Sequence, residues 1–128
     1  MAPPSRLAIA TGSVLRLVKE EASYHNEAAH QEQRIKKLEE SEGDSNKEYT
    51  LKQEAGHLYH ASLAETRNVL PSMQAKISAA LAKLEEALKH IDEDQEAHEE
   101  GGADASAEDV AKAKDAIAKG KEAVHKSS

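Results

Sequence analysis

The stretch from Tyr59 to Ile91, YHASLAETRNVLPSMQAKISAALAKLEEALKHI, decides the fold. Alternating steps of four and three pick out Tyr59, Leu63, Thr66, Leu70, Met73, Ile77, Ala80, Leu84, Ala87 and Ile91. That spacing puts every one of these positions on one face of a helix, the signature of a helix–helix seam. Pro71 falls inside the pattern, where an interior proline removes a hydrogen bond and costs about 3 kcal/mol. The phase nevertheless holds across it. The expectation is a continuous, kinked helix with Pro71 turned outward and the orphaned carbonyl of Arg67 bonded to water.

Upstream, Leu51, Ala55 and Leu58 lie one residue out of phase, with the slip at Gly56-His57, so this stretch is expected to pack least well. Ser45-Asn46-Lys47-Glu48 is a capping-box pattern that opens the helix, preceded by a turn at Glu42-Gly43-Asp44. The acidic run Asp92–Glu100 and Gly101-Gly102 close it, giving a helix over about 46–95 and a linker over about 96–105. A first helix over about 5–42 carries the seam Leu7, Ala10, Val14, Leu17, Glu21, Tyr24, Ala28, Gln31, Ile35 and Leu38, with Thr11-Gly12 as its weak point. A third, over about 106–125, is capped by Ser106 and has Val110, Ala113, Ile117, Gly120 and Val124 as its seam. The fold class is all-α: one domain over residues 1–128, an elongated antiparallel three-helix bundle of coiled-coil character.

Helix lengths add a consequence. At 1.5 Å per residue the first helix extends about 57 Å and the third only about 30 Å. The third helix is therefore expected to cover the Leu7–Leu17 part of the first and the Met73–Ile91 part of the second. The end formed by Tyr24–Leu38 and Leu51–Leu63 is left with two helices. Part of its apolar stripe, drawn from Tyr24, Ala28, Ile35, Leu51 and Leu58, should stay accessible, rimmed by Lys19, Glu20, Arg34 and Lys52.

Composition narrows the function. The chain has no Phe, Trp or Cys and three Tyr, so its core is aliphatic and thin, and disulfides, thiolate catalysis and Cys-based zinc sites are excluded. The N-terminal MAPPSRLAIATG lacks the apolar run of a signal peptide, and no stretch reaches membrane-spanning length, which makes a cytoplasmic protein the expectation. A net charge of −7 repels nucleic acid and anionic lipid, so neither is an expected partner.

Chemistry-bearing motifs are sparse. Among seven His, only His57 and His60 share a helical face well, and no HExxH pattern is present. Asp92-x-Asp94-x-Glu96 opens like a calcium loop, but Ala97 and Ala103 stand where Gly and the bidentate Glu belong. Carboxylate pairs such as Glu20-Glu21 and Glu39-Glu40 lie on helix faces with no cleft to desolvate them. Neither an enzyme nor a metal or cofactor is expected. The basic residues Arg16, Lys19, Arg34, Lys36 and Lys37 interleave with Glu, which suits helix-stabilising pairs at i, i+4 or the rim of a protein-binding surface.

Taken in order, MAPPS, RLVKEEASY (Arg16–Tyr24), QEQRIKKLE (Gln31–Glu39), EYTLKQE (Glu48–Glu54) and ETRNVLP (Glu65–Pro71) resemble tubulin-binding cofactor A of the fungal type, with a looser likeness over AKAKDAIAKGKEAV. The stretch Ala55–His60 looks longer than the family's. The resemblance implies a monomeric three-helix bundle, cytoplasmic and associated with the cytoskeleton. Such a bundle captures β-tubulin released by the chaperonin and passes it toward the α/β heterodimer, with cofactor D as a further partner. It carries Arg16, Lys19, Glu20, Glu21, Tyr24, Arg34, Lys52, Gln53 and Glu54 over as candidate β-tubulin-binding residues. The alternative is a structural homo-oligomeric coiled coil whose seams pair between identical chains. A prefoldin-like holding subunit would need strand signals that the sequence lacks.

Overall fold

The computed structural model describes residues 5–41, 46–97 and 107–126, which form three helices and, among the described residues, no strand. These are α1 (Arg6–Glu40), α2 (Asn46–Ala97) and α3 (Ala107–Lys126). The expected turn at 42–44, the Ser45 and Ser106 caps and most of the linker lie outside the described residues. Helix α2 runs two residues beyond the expected end at 95. Ser5 caps α1, its hydroxyl accepting from the Ala8 N–H at 3.0 Å.

Packing divides into two compact units: residues 1–21 with 73–128, and residues 22–72. The first contains all of α3 and a core of Leu7, Val14, Ile77, Leu81, Leu84, Ala113, Ala116 and Ala123. The second has only α1 and α2 segments, with Ala28, Ile35 and Leu63 buried and Tyr59 packed on them. Contacts in this unit recede from the turn together, from Lys52 with Ser41 through Tyr59 with Arg34 to Arg67 with Glu32, so the helices are antiparallel.

The α1 seam is occupied as the spacing requires, except that Tyr24 is exposed. In the first unit the stripes are wider than one heptad line. Thr11 and Val18 on α1, and Leu81 and Leu88 on α2, join the packing because each helix there meets two neighbours rather than one. The buried line of α3 also differs from expectation, running through Ala113, Ala116, Gly120 and Ala123 with Val110, Ile117 and Val124 half-buried beside it. Small residues let α3 approach α2 closely. A Cβ on Gly120 would stand 2.6 Å from Leu81 Cδ2.

Pro71 is exposed and α2 passes through it without a break. Thr11 and Thr66, buried on the seams, return their hydroxyls to the carbonyls of Leu7 and Ser62 four residues earlier.

Two glycines test this packing against each other. Gly12 has open space where a Cβ would go, so Gly12→Ala should stabilise by up to about 1 kcal/mol. Gly120→Ala should lower the melting temperature, because the gain in helix propensity is outweighed by overpacking of about 1–3 kcal/mol. In a Leu81→Ala background the sign of Gly120→Ala should reverse. Thermal melts by circular dichroism read all three, and a stabilising Gly120→Ala in the parent would refute the close approach.

A second pair tests α2. Ile77 is fully buried, so Ile77→Asp should unfold the chain by burying an uncompensated carboxylate. Pro71→Ala should leave it folded and at least as stable, since it restores a backbone hydrogen bond on an exposed face. A lower melting temperature for Pro71→Ala would mean that proline is required for packing.

Candidate functional site

The nine residues singled out by the sequence do not form one cluster. Arg16, Lys19, Glu20 and Glu21 belong to the first unit, and Tyr24, Arg34, Lys52, Gln53 and Glu54 to the second. Arg16, Lys19, Glu20 and Glu54 are exposed. Glu21 is only 4% exposed, a seam residue whose side chain is turned into the packing rather than toward a partner. Tyr24 is at the edge of exposure, at 36%.

In the second unit several candidates serve local structure. The Lys52 ammonium donates to the carbonyls of Glu39 (3.1 Å) and Ser41 (2.6 Å), closing the C-terminal end of α1 where free carbonyls and the helix dipole favour a cation. Arg34 lies over the Tyr59 ring at 5.4 Å. Gln53 donates its amide to the Tyr49 hydroxyl at 3.3 Å.

The accessible apolar surface of this unit differs from the expected stripe in a specific way. Ala28 and Ile35 are buried in the seam and unavailable. On α2 the burial phase set by Tyr59 and Leu63 continues upstream without a slip, so Gly56 and Lys52 take the inward positions. Of the apolar residues one step out of phase, Ala55 is half-buried and the two leucines face solvent: Leu51 is 56% and Leu58 68% exposed. Leu51, Ala55 and Leu58, at i, i+4 and i+7, share one helical face. Glu54 and Glu65 stand along its outer margin on the same helix. The sequence located the mismatch; which side of it would yield was decided by the helix keeping its phase.

Two exposed leucines one heptad apart form a seam without a partner. Their exposed area leaves ungained somewhat more than half of the ~1.5–3 kcal/mol that full burial of each side chain is worth, which a protein partner could recover. Among the described residues, no group of three or more His, Cys, Asp or Glu is placed to hold a metal ion, and no helix is long and apolar enough to cross a membrane.

Residues 2–117 match the family described as tubulin binding cofactor A. The chain belongs to that family. It is 35% identical over 94 residues to tubulin-specific chaperone A of Mus musculus and of Homo sapiens, covering 73% of this chain and 80% of each relative. The protein of the same name from Gallus gallus is 34% identical over the same span. No solved structure matches. The family is a non-enzymatic binding cofactor, and the chain is not an enzyme.

Proposed function

We propose that this chain is a tubulin-folding chaperone that captures quasi-native β-tubulin after chaperonin release and holds it for heterodimer assembly, acting as a monomer in the cytoplasm and handing its cargo to cofactor D. Family membership and relatives named tubulin-specific chaperone A support the tubulin-chaperone role. The observation that carries the contact surface is the unpartnered Leu51–Leu58 face of α2. It offers apolar contact with carboxylates at its margin, the arrangement of a protein-binding patch. Arg34, over the Tyr59 ring, and Glu54, exposed on the face's margin, are the residues of the expected set nearest that face.

Capture by such a surface needs no chemistry. Binding a folding intermediate lowers its free concentration, and mass action then slows its aggregation. In residues 1–21 with 73–128, α3 covers a face that two helices would otherwise offer to another chain, which supports the monomer reading for that unit.

The test is Leu51→Ser with Leu58→Ser in the full chain. Both side chains are exposed, so the melting temperature should stay within a few degrees of the parent. Capture of β-tubulin, measured by co-sedimentation of refolding tubulin with the chain, should fall at least about tenfold. Undiminished capture would remove this face from the proposal. If the parent instead sediments as a dimer and the variant as a monomer, the face serves self-association.

A further inference from the structure

The charge of the chain is unevenly placed. Residues 1–19 and 66–84 contain no Asp or Glu, and between them carry Arg6, Arg16, Lys19, Arg67, Lys76 and Lys83. All 24 carboxylates of a chain with net charge −7 therefore lie elsewhere. In the three-helix unit, α1 and α2 bring four of these cations to the edges of one groove of about 510 Å³: Arg6 and Arg16 on α1, Lys76 and Lys83 on α2. None of the four has an ion-pair partner among the described residues.

Between the cations the groove is lined by small, mostly apolar residues, Ala10, Ser13, Ala79 and Ala80, with Ile9 and Leu17 from α1. Ile9 is 58% exposed there, although it belongs to the most tightly packed unit of the chain. On α2 the groove residues Lys76, Ala80 and Lys83 are on one side of the buried Ile77–Leu84 line. Ser78, Ala82 and Glu85, which line the α3 side with Lys121 and Val124, are on the other. The groove is thus the position a fourth helix would take against α1 and α2, across their seam from α3. Helices pack at about 8–10 Å when the contact residues are small, which this lining permits.

We propose that this groove docks an acidic amphipathic helix of a partner protein. Charge complementarity selects the occupant, because four unpaired cations around a mostly apolar lining call for a helix with an apolar stripe flanked by carboxylates. The spacing fits: Arg6 and Arg16 are about 15 Å apart along α1, and Lys76 and Lys83 about 10 Å along α2, roughly two to three turns of a bound helix. With no strand among the described residues of this unit, an extended peptide would find no sheet edge there, whereas a helix arrives with its backbone already satisfied. The surface belongs to a different unit from the Leu51–Leu58 face, and the proposal does not depend on which protein that face captures.

The experiment uses the full chain and a fluorescein-labelled peptide of about 15 residues, Leu and Ala on one face and Glu flanking it, read by fluorescence anisotropy. Its Gln-for-Glu isostere is the reference. The acidic peptide should bind, the isostere at least about tenfold more weakly, and the difference should shrink as salt screens the charges. Lys76→Glu with Lys83→Glu should abolish the preference. Ile9→Ser should weaken the acidic peptide while retaining the preference over the isostere. Lys89→Glu with Lys114→Glu, the same charge change outside the groove, should leave binding within about twofold. Equal binding of both peptides, or equal loss in the groove and control variants, would overturn the proposal. So would binding to phosphatidylserine vesicles without the peptide, or a concentration-dependent dimer abolished by the groove variant. Because tubulin capture is not the readout, failure here leaves the chaperone reading standing, and failure of that reading leaves this one.

Discussion

Two helices of 35 and 52 residues are held in water mainly by packing one face of constant phase against a neighbour, and that constraint governs the rest of this structure. Isolated helices gain little from hydrogen bonding against water; burial of the shared seam holds them. A one-residue change of phase would rotate every later side chain by about 100° and break the seam on one side of the slip. The helix therefore tolerates defects rather than change register. Pro71 is accommodated on an exposed face. Glu21, Gln31 and Thr66 are buried because their positions demand it, not because their chemistry favours it. Leu51 and Leu58 are pushed to solvent by the same rule.

Helix α3, at 20 residues, meets this constraint differently. It adds a third wall to one unit by approaching closely through Ala113, Ala116, Gly120 and Ala123, and Gly120 is the point at which even a methyl would collide. Among the described residues, the unit without α3 has Ala28, Ile35 and Leu63 buried with Tyr59 packed on them. Thin packing and stranded leucines thus coincide in residues 22–72, where local opening needs the least energy and where a partner would gain the most by covering apolar surface.

Much of this was legible in the sequence, and the failures are instructive. The α1 seam and the α2 seam beyond Tyr59 follow from heptad spacing alone because the period reports which positions face a neighbour. Spacing does not report how many neighbours there are, which is why Thr11, Val18, Leu81 and Leu88 were not foreseen. On α3 the spacing gives Ala113 and Gly120 correctly, but close approach buries Ala116 and Ala123 where the heptad line runs through Ile117 and Val124. Near Gly56 the mismatch was visible, but only the structure shows Lys52 and Gly56 inward and the leucines outward. The resemblance supplied Glu21 as a contact residue without distinguishing seam from surface. The basic groove is invisible to local spacing because its cations come from segments some 60 residues apart, and only antiparallel packing of α1 on α2 brings them together.

The central claim is that the two-helix unit, through the leucine face of α2, meets the folding partner. Hydrogen–deuterium exchange of the chain, alone and in complex with β-tubulin, tests it most directly. The account predicts rapid exchange in α2 from about residue 48 to 62 in the free chain, strongly slowed on binding, with α3 unchanged. Protection confined to α3, with residues 48–62 exchanging as fast as in the free chain, would contradict it.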